Sequence, residues 1–145
     1  MTIHDFDMVR FYLGNDEIKE IFATASNISS KKFNDIKDYE LATCVLKSTT
    51  GVICTINNSR HYKYGYDQRI EVFGSKGCLI SENKKKYNFF IDRYKTAYKL
   101  QLQDLVNLAN KNKKPRASFI DGEKALLLAN AAYKSLSNKK VIKIR

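Results

Sequence analysis

From Ile18 to about residue 91 the apolar residues fall at strand spacing, and beyond it they fall at helix spacing. This change of period constrains the fold more than any other feature of the chain. Ile18–Ser26 reads as a strand. Tyr39–Lys47 and Val52–Asn58 read as a hairpin around the turn Ser48-Thr49-Thr50-Gly51. Asp67–Phe73 alternates cleanly, and Gly74-Ser75-Lys76-Gly77 turns it into Cys78–Ile80. Tyr87–Ile91 reads as one more strand after a lysine-rich turn. The period then lengthens. Tyr98, Leu102, Leu105 or Val106, and Ala109 predict an amphipathic helix over 94–111, its stripe buried. Pro115 sits in the loop after it. Asp121 is the expected N-cap of a helix over 122–136, with Leu126, Ala129 and Tyr133 inward, and Val141, Ile142 and Ile144 suit a last strand. Ahead of all this, Phe6, Val9 and Leu13 give residues 5–13 one apolar helical face, which Gly14 ends. Ser29–Lys37 reads as a loop. A strand meander followed by helices is an α+β order. With neither repeat nor linker, the 145 residues are expected to form a single domain with its own core.

Composition narrows the function classes. No apolar run approaches the roughly 18 residues of a membrane span, and the opening residues do not read as a signal peptide. Cys44, Cys54 and Cys78 are odd in number and without C-x-x-C spacing. They are expected to be reduced core residues of a cytoplasmic chain, neither metal ligands nor disulfides. The Asn-x-Ser triplets at Asn27 and Asn57 carry little weight on that reading. The net charge of +11 is the boldest bulk feature. Its runs, Lys84–Lys86, Lys111 with Lys113 and Lys114, and Lys139–Lys140, fall at turns or element ends. A solvated surface is expected in preference to a nucleic-acid site. Gly74-Ser75-Lys76-Gly77 lies between strands and is no phosphate loop. With no G-x-G-x-x-G among six scattered glycines, nothing here builds a dinucleotide fold.

Two clusters could carry chemistry. His4 and Asp7 stand three apart on one helical face. Histidine as a residue type titrates near neutrality and can take a proton from an alcohol, and a neighbouring carboxylate can orient it or accept substrate hydroxyls. Acids favouring the helix dipole would give the same text. The second cluster, Asn57 through Arg69, is dense in hydrogen-bonding side chains and rings. A polyol needs donors and acceptors for its hydroxyls and rings for its C–H faces. An exposed loop explains the cluster equally well, and an RNA groove would need aromatics and basics on one sheet face.

The segments MTIHDFDMVRFYLG, NNSRHYKYGYDQRIEVFGSKG and ALLLANAAYKSL resemble the C-terminal half of the Gfo/Idh/MocA oxidoreductases, most of all those that oxidise inositol. The resemblance runs from residue 1 to the end. It implies an open, mostly antiparallel sheet packed with helices, like the C-terminal domain of glyceraldehyde-3-phosphate dehydrogenase. One side of it holds a cyclitol or sugar, and the sheet face builds a homo-oligomer. His4 matches the base that takes the alcohol proton while the hydride goes to NAD, and Asp7 matches a substrate-binding residue. A pocket tyrosine matches Tyr64 or Tyr66, Tyr64 being favoured. The family has an Asp four residues before the His, whereas Met1 stands three before His4. Its catalytic Lys and its Rossmann half have no counterpart here. The expectation is therefore a truncated chain, a substrate-binding and oligomerisation domain that is inactive alone. NAD or NADP would act in the complete enzyme, with a separately encoded Rossmann half as one expected partner. A non-enzymatic oligomerising or polyol-binding remnant is one alternative, and a basic nucleic-acid binder another. One sheet face is expected under the two late helices. The other, carrying Cys54 and Ile56 or their alternates, is expected to be too apolar to stay bare.

Overall fold

The computed structural model describes residues 2–29, 32–36, 38–111 and 114–144. Lys113 of the charge runs, and Ser30, Lys31 and Lys37 of the expected loop, lie outside them. In chain order come helix α1 (Ile3–Leu13), strand β1 (Ile18–Ser26), a single-turn helix α2 (Lys32–Asp35) and strands β2 (Leu41–Ser48) and β3 (Ile53–Ser59). Strands β4 (Ile70–Gly74) and β5 (Gly77–Ser81) follow, then helices α3 (Phe90–Lys111) and α4 (Phe119–Asn138) and strand β6 (Ile142–Lys143). The chain forms two compact units, Met1–Arg60 with Ala117–Arg145, and His61–Arg116.

The first unit is built on an antiparallel sheet in the order β3-β2-β1-β6. Alternation sends Ile21 and Ala23 of β1, Cys44 and Leu46 of β2, and Ile56 of β3 to one face, where all are buried. There they meet Phe6 of α1 and Leu128, Ala131 and Ala132 of α4. Val9 and Leu13 pack at the margin of this core. Gly14 ends α1 at φ +63, its N–H bonded to the Arg10 carbonyl. The fully buried Ser135 accepts the Ala23 N–H at 2.9 Å and donates to the Lys140 carbonyl at 2.7 Å, tying α4 to β1. The opposite face exposes Phe22, Val45 and Ile53.

Three expectations are corrected here, and one open alternative is resolved. The core is covered by α1 and α4, with no α3 residue among the buried side chains of the described residues. Cys54 and Ile56 lie on the covered face, and their alternate Ile53 on the open one. Helix α4 starts earlier than expected, with Ser118 as its N-cap. Asp121 is the third helical residue, and its carboxylate reaches back to the Ser118 N–H at 2.7 Å and hydroxyl at 2.8 Å. The buried face of α4 is Ala125, Leu128, Ala131, Ala132 and Ser135, while Leu126 and Tyr133 are exposed. Small residues let the helix approach the sheet closely, and that outweighs the larger apolar residues beside them.

The second unit holds the β4-β5 hairpin and α3. The strand expected at 87–91 reduces to one bridge, Tyr66 with Tyr87, because α3 begins at Phe90. Cys78 is exposed on β5, so of the three free cysteines Cys44 alone is fully in the core and Cys54 is partly so. The stripe of α3 is also open: Leu102 is 66% exposed, Leu105 62% and Val106 58%.

Candidate functional site

In the first unit the site begins with how α1 is held. Phe6 sinks into the core at 1% exposure. One residue earlier, Asp5 accepts the Asn58 amide N–H from β3 at 3.0 Å. One turn later, the Arg10 guanidinium donates to Asp121 at the start of α4, at 3.1 Å to its carbonyl and 3.0 Å to its Oδ1. These anchors fix the helix and leave its opposite face outward. His4 is exposed there, with no hydrogen bond or ion pair to its imidazole among the described residues. Asp7 is half-exposed, and its Oδ1 takes an N–H of Arg10 at 2.8 Å. Asp121 is held well below the usual carboxylate range, first by the Ser118 backbone N–H and then by Arg10 and the Ser118 hydroxyl. It is a permanent anion at neutral pH.

In the second unit the expected tyrosines part company. Gly65 between them has φ +101, and the Tyr87 carbonyl oxygen lies where a Cβ would stand, 2.1 Å from it. The approach follows from the Tyr66 N–H bonding that carbonyl at 2.7 Å. Only glycine fits this Tyr-Gly-Tyr turn. Tyr66 packs its ring against Phe90 and Tyr94 and donates its hydroxyl to that of Tyr94 at 3.3 Å. Tyr64 is 62% exposed and stands edge-on to Tyr62, ring centroids 5.8 Å apart. Both tyrosines border a cleft of about 260 Å³ with Arg69, Glu82 and Lys86 on its walls. Asp67 pairs with Arg69 at 2.8 Å, and Asn83 donates to the Tyr66 carbonyl at 2.7 Å.

His4 and Asp7 thus share one helix face of the first unit, and Tyr64 and Tyr66 one cleft of the second. Sequence reasoning missed Arg10 and Asp121. The Asp7-x-x-Arg10 spacing was legible as a helical ion pair, but nothing local linked Arg10 to a residue 111 positions away.

Among the described residues no group of three or more His, Cys, Asp or Glu could hold a metal. Among the described residues no helix is long and apolar enough to cross a membrane. A dinucleotide does not fit these residues either. Its pyrophosphate needs a glycine loop opening onto free N–H groups of a helix. No glycine lies just ahead of α3 or α4, and the first turn of α4 is already taken by the Asp121 carboxylate.

The profile of the GFO/IDH/MocA C-terminal domain matches residues 1–80. A curated relative, the myo-inositol 2-dehydrogenase of Thermotoga maritima, is 38% identical over 160 residues, which cover 99% of this chain and 48% of the relative. The crystal structure of a myo-inositol dehydrogenase from Corynebacterium glutamicum superposes with a TM-score of 0.94 at 35% identity, over 100% of this chain and 48% of that one. A likeness of fold, at 22% identity and a TM-score of 0.82, extends to a Lactobacillus casei myo-inositol dehydrogenase solved with NAD(H) and myo-inositol, over 99% of this chain and 46% of that one. The chain spans about half the length of the curated relatives it matches.

Proposed function

The chain belongs to the GFO/IDH/MocA C-terminal domain family, and on that footing we propose that it is the substrate-holding half of an inositol 2-dehydrogenase-like oxidoreductase. One observation carries this reading. Helix α1 is pinned by Phe6, Asp5 and Arg10, while His4 and Asp7, the residues matching the family's base and substrate ligand, are left outward on its free face.

The reaction of the complete enzyme is oxidation of a ring secondary alcohol to a ketone. Each residue of this chain has a part set by its chemistry. The imidazole of His4 takes the hydroxyl proton on a free ring nitrogen. Asp7, paired with Arg10, accepts hydrogen bonds from neighbouring hydroxyls. Tyr64, with the more exposed ring, is the pocket tyrosine that the resemblance to the family implies. Tyr66 shapes the turn that presents Tyr64. NAD supplies the oxidising chemistry and is held by residues these 145 do not include. The open sheet face, with Phe22, Val45 and Ile53, is the surface through which copies associate.

The test is a chimera. The chain is joined behind the dinucleotide half of the Thermotoga relative and assayed for myo-inositol-dependent reduction of NAD. Turnover that is lost in His4→Ala, with folding and inositol affinity retained, is the expected result. A folded chimera without inositol-dependent turnover would overturn the assignment.

A further inference from the structure

We propose that Arg10 is a positioning residue, which fixes the direction of the Asp7 acceptor by clamping it to the first turn of α4. The inference rests on the reading that Asp7 meets polyol hydroxyls.

A lone aspartate on an exposed helix face turns freely and competes for nearby backbone N–H groups. An arginine three residues on ordinarily helps by only a few tenths of a kcal/mol, since both side chains lose rotamer freedom to meet. The pair here differs because the guanidinium is already held from its far side. One nitrogen, Nη2, donates to Asp121 Oδ1 at 3.0 Å. The other, Nη1, serves both the Asp121 carbonyl at 3.1 Å and Asp7 Oδ1 at 2.8 Å. Asp121 is itself locked, its Oδ2 taking the Ser118 N–H and hydroxyl. The rotamer cost of Arg10 is thus met by contacts that do not involve Asp7. The Arg10 side chain is only 20% exposed, so its charge is screened less than that of a surface pair.

The result is a fixed line of groups from α4 through Arg10 to Asp7, with every oxygen but one assigned. Among the described residues nothing donates to Asp7 Oδ2, and the Asp7 side chain is 47% exposed. That oxygen is the one left to a substrate hydroxyl. A staple between α1 and α4 needs only the Arg10–Asp121 contacts. The third bond, to Asp7, adds nothing to the joint and constrains only the residue facing outward.

The experiment follows amide chemical shifts of residues 4–8 while myo-inositol is titrated into the chain, with the amide spectrum and melting temperature as checks on folding. In the wild-type chain, millimolar myo-inositol moves these shifts. Arg10→Met weakens binding by about tenfold or more, the worth of one charged hydrogen bond. Arg10→Lys, which keeps the charge but cannot span both carboxylates, falls between, and decides the matter if Arg10→Met fails to fold. Asp7→Asn weakens binding comparably, and the double variant Asp7→Asn/Arg10→Met no further, because the two act as one unit. Wild-type affinity in folded Arg10→Met, or in Arg10→Lys where Met does not fold, with binding lost in Asp7→Asn, overturns the positioning role and leaves the reading of Asp7 standing. Wild-type affinity in Asp7→Asn, or no shift in the wild-type chain, overturns that reading and the inference with it.

Discussion

Two leucine truncations separate the two long helices. Leu128 in α4 is 3% exposed and sits in the core cluster with Phe6, Ile21 and Leu46. Truncating it to alanine removes three buried carbons, about 2 kcal/mol of transfer energy at ~0.8 per methylene. The unfilled space adds to this, because close-packed neighbours relax only partly, for a total of about 3 kcal/mol. For a chain of this size that lowers the melting temperature by roughly 10 °C. Leu102 in α3 is 66% exposed, so Leu102→Ala changes stability by no more than about 0.5 kcal/mol. Both variants are unfolded by heat and by urea at low micromolar concentration, followed by far-ultraviolet circular dichroism. Equal losses from the two, in samples that sediment as monomers, would place α3 in a core and refute the burial argument.

Acid should destabilise the chain through Asp16 and Asp121. Asp16 is held below the usual carboxylate range by the Ser48, Thr49 and Thr50 hydroxyls, and Asp121 by Ser118 and Arg10. A folded-state pKa below the unfolded one means their contribution is complete above the ordinary carboxylate range and is lost as pH falls beneath it. Asp16→Asn and Asp121→Asn should therefore show a shallower acid decline in urea unfolding than the wild type. Thiol labelling should reach Cys78 first and Cys54 more slowly, and Cys44 only on unfolding, since burial and then the charge of Asp5 push its thiol up to about 11. Sedimentation at tens of micromolar should show self-association that Val45→Lys in the open sheet face abolishes; a stable folded wild-type monomer would count against an interface there.

The strands were the most legible part of the sequence. Ile18–Ser26 was read to the residue from its strand-forming text, although a register shift between Ile18 and Glu20 breaks the alternation at its start. The long helices show where such reading stops. The stripe of Leu102, Leu105 and Val106 was visible, but a stripe records that a helix wants a partner and not that its own chain supplies one. In α4 the inward face was misread because Leu126 and Tyr133 outweigh Ala125 and Ala132 on any scale of hydrophobicity, while packing distance favours the alanines. Tyr87–Ile91 carried strand-forming residues, yet Tyr66 packs against both Phe90 and Tyr94 at a helix start. At the first cluster, the shared helix face of His4 and Asp7 was legible from their spacing. Arg10 was not, since its meaning lies in Asp121 at the other end of the chain.

The central claim is that these residues hold the polyol and leave the cofactor to another part of the enzyme. Calorimetric titration of the purified chain with myo-inositol and, separately, with NAD tests it most directly, alongside absorbance of NADH when both are present. The account predicts weak, millimolar heat with myo-inositol, none with NAD and no NADH, because these residues build no pyrophosphate cradle and hydride transfer needs the two reactants held about 3–3.5 Å apart. Micromolar binding of NAD, or turnover by the chain without a partner, would contradict it.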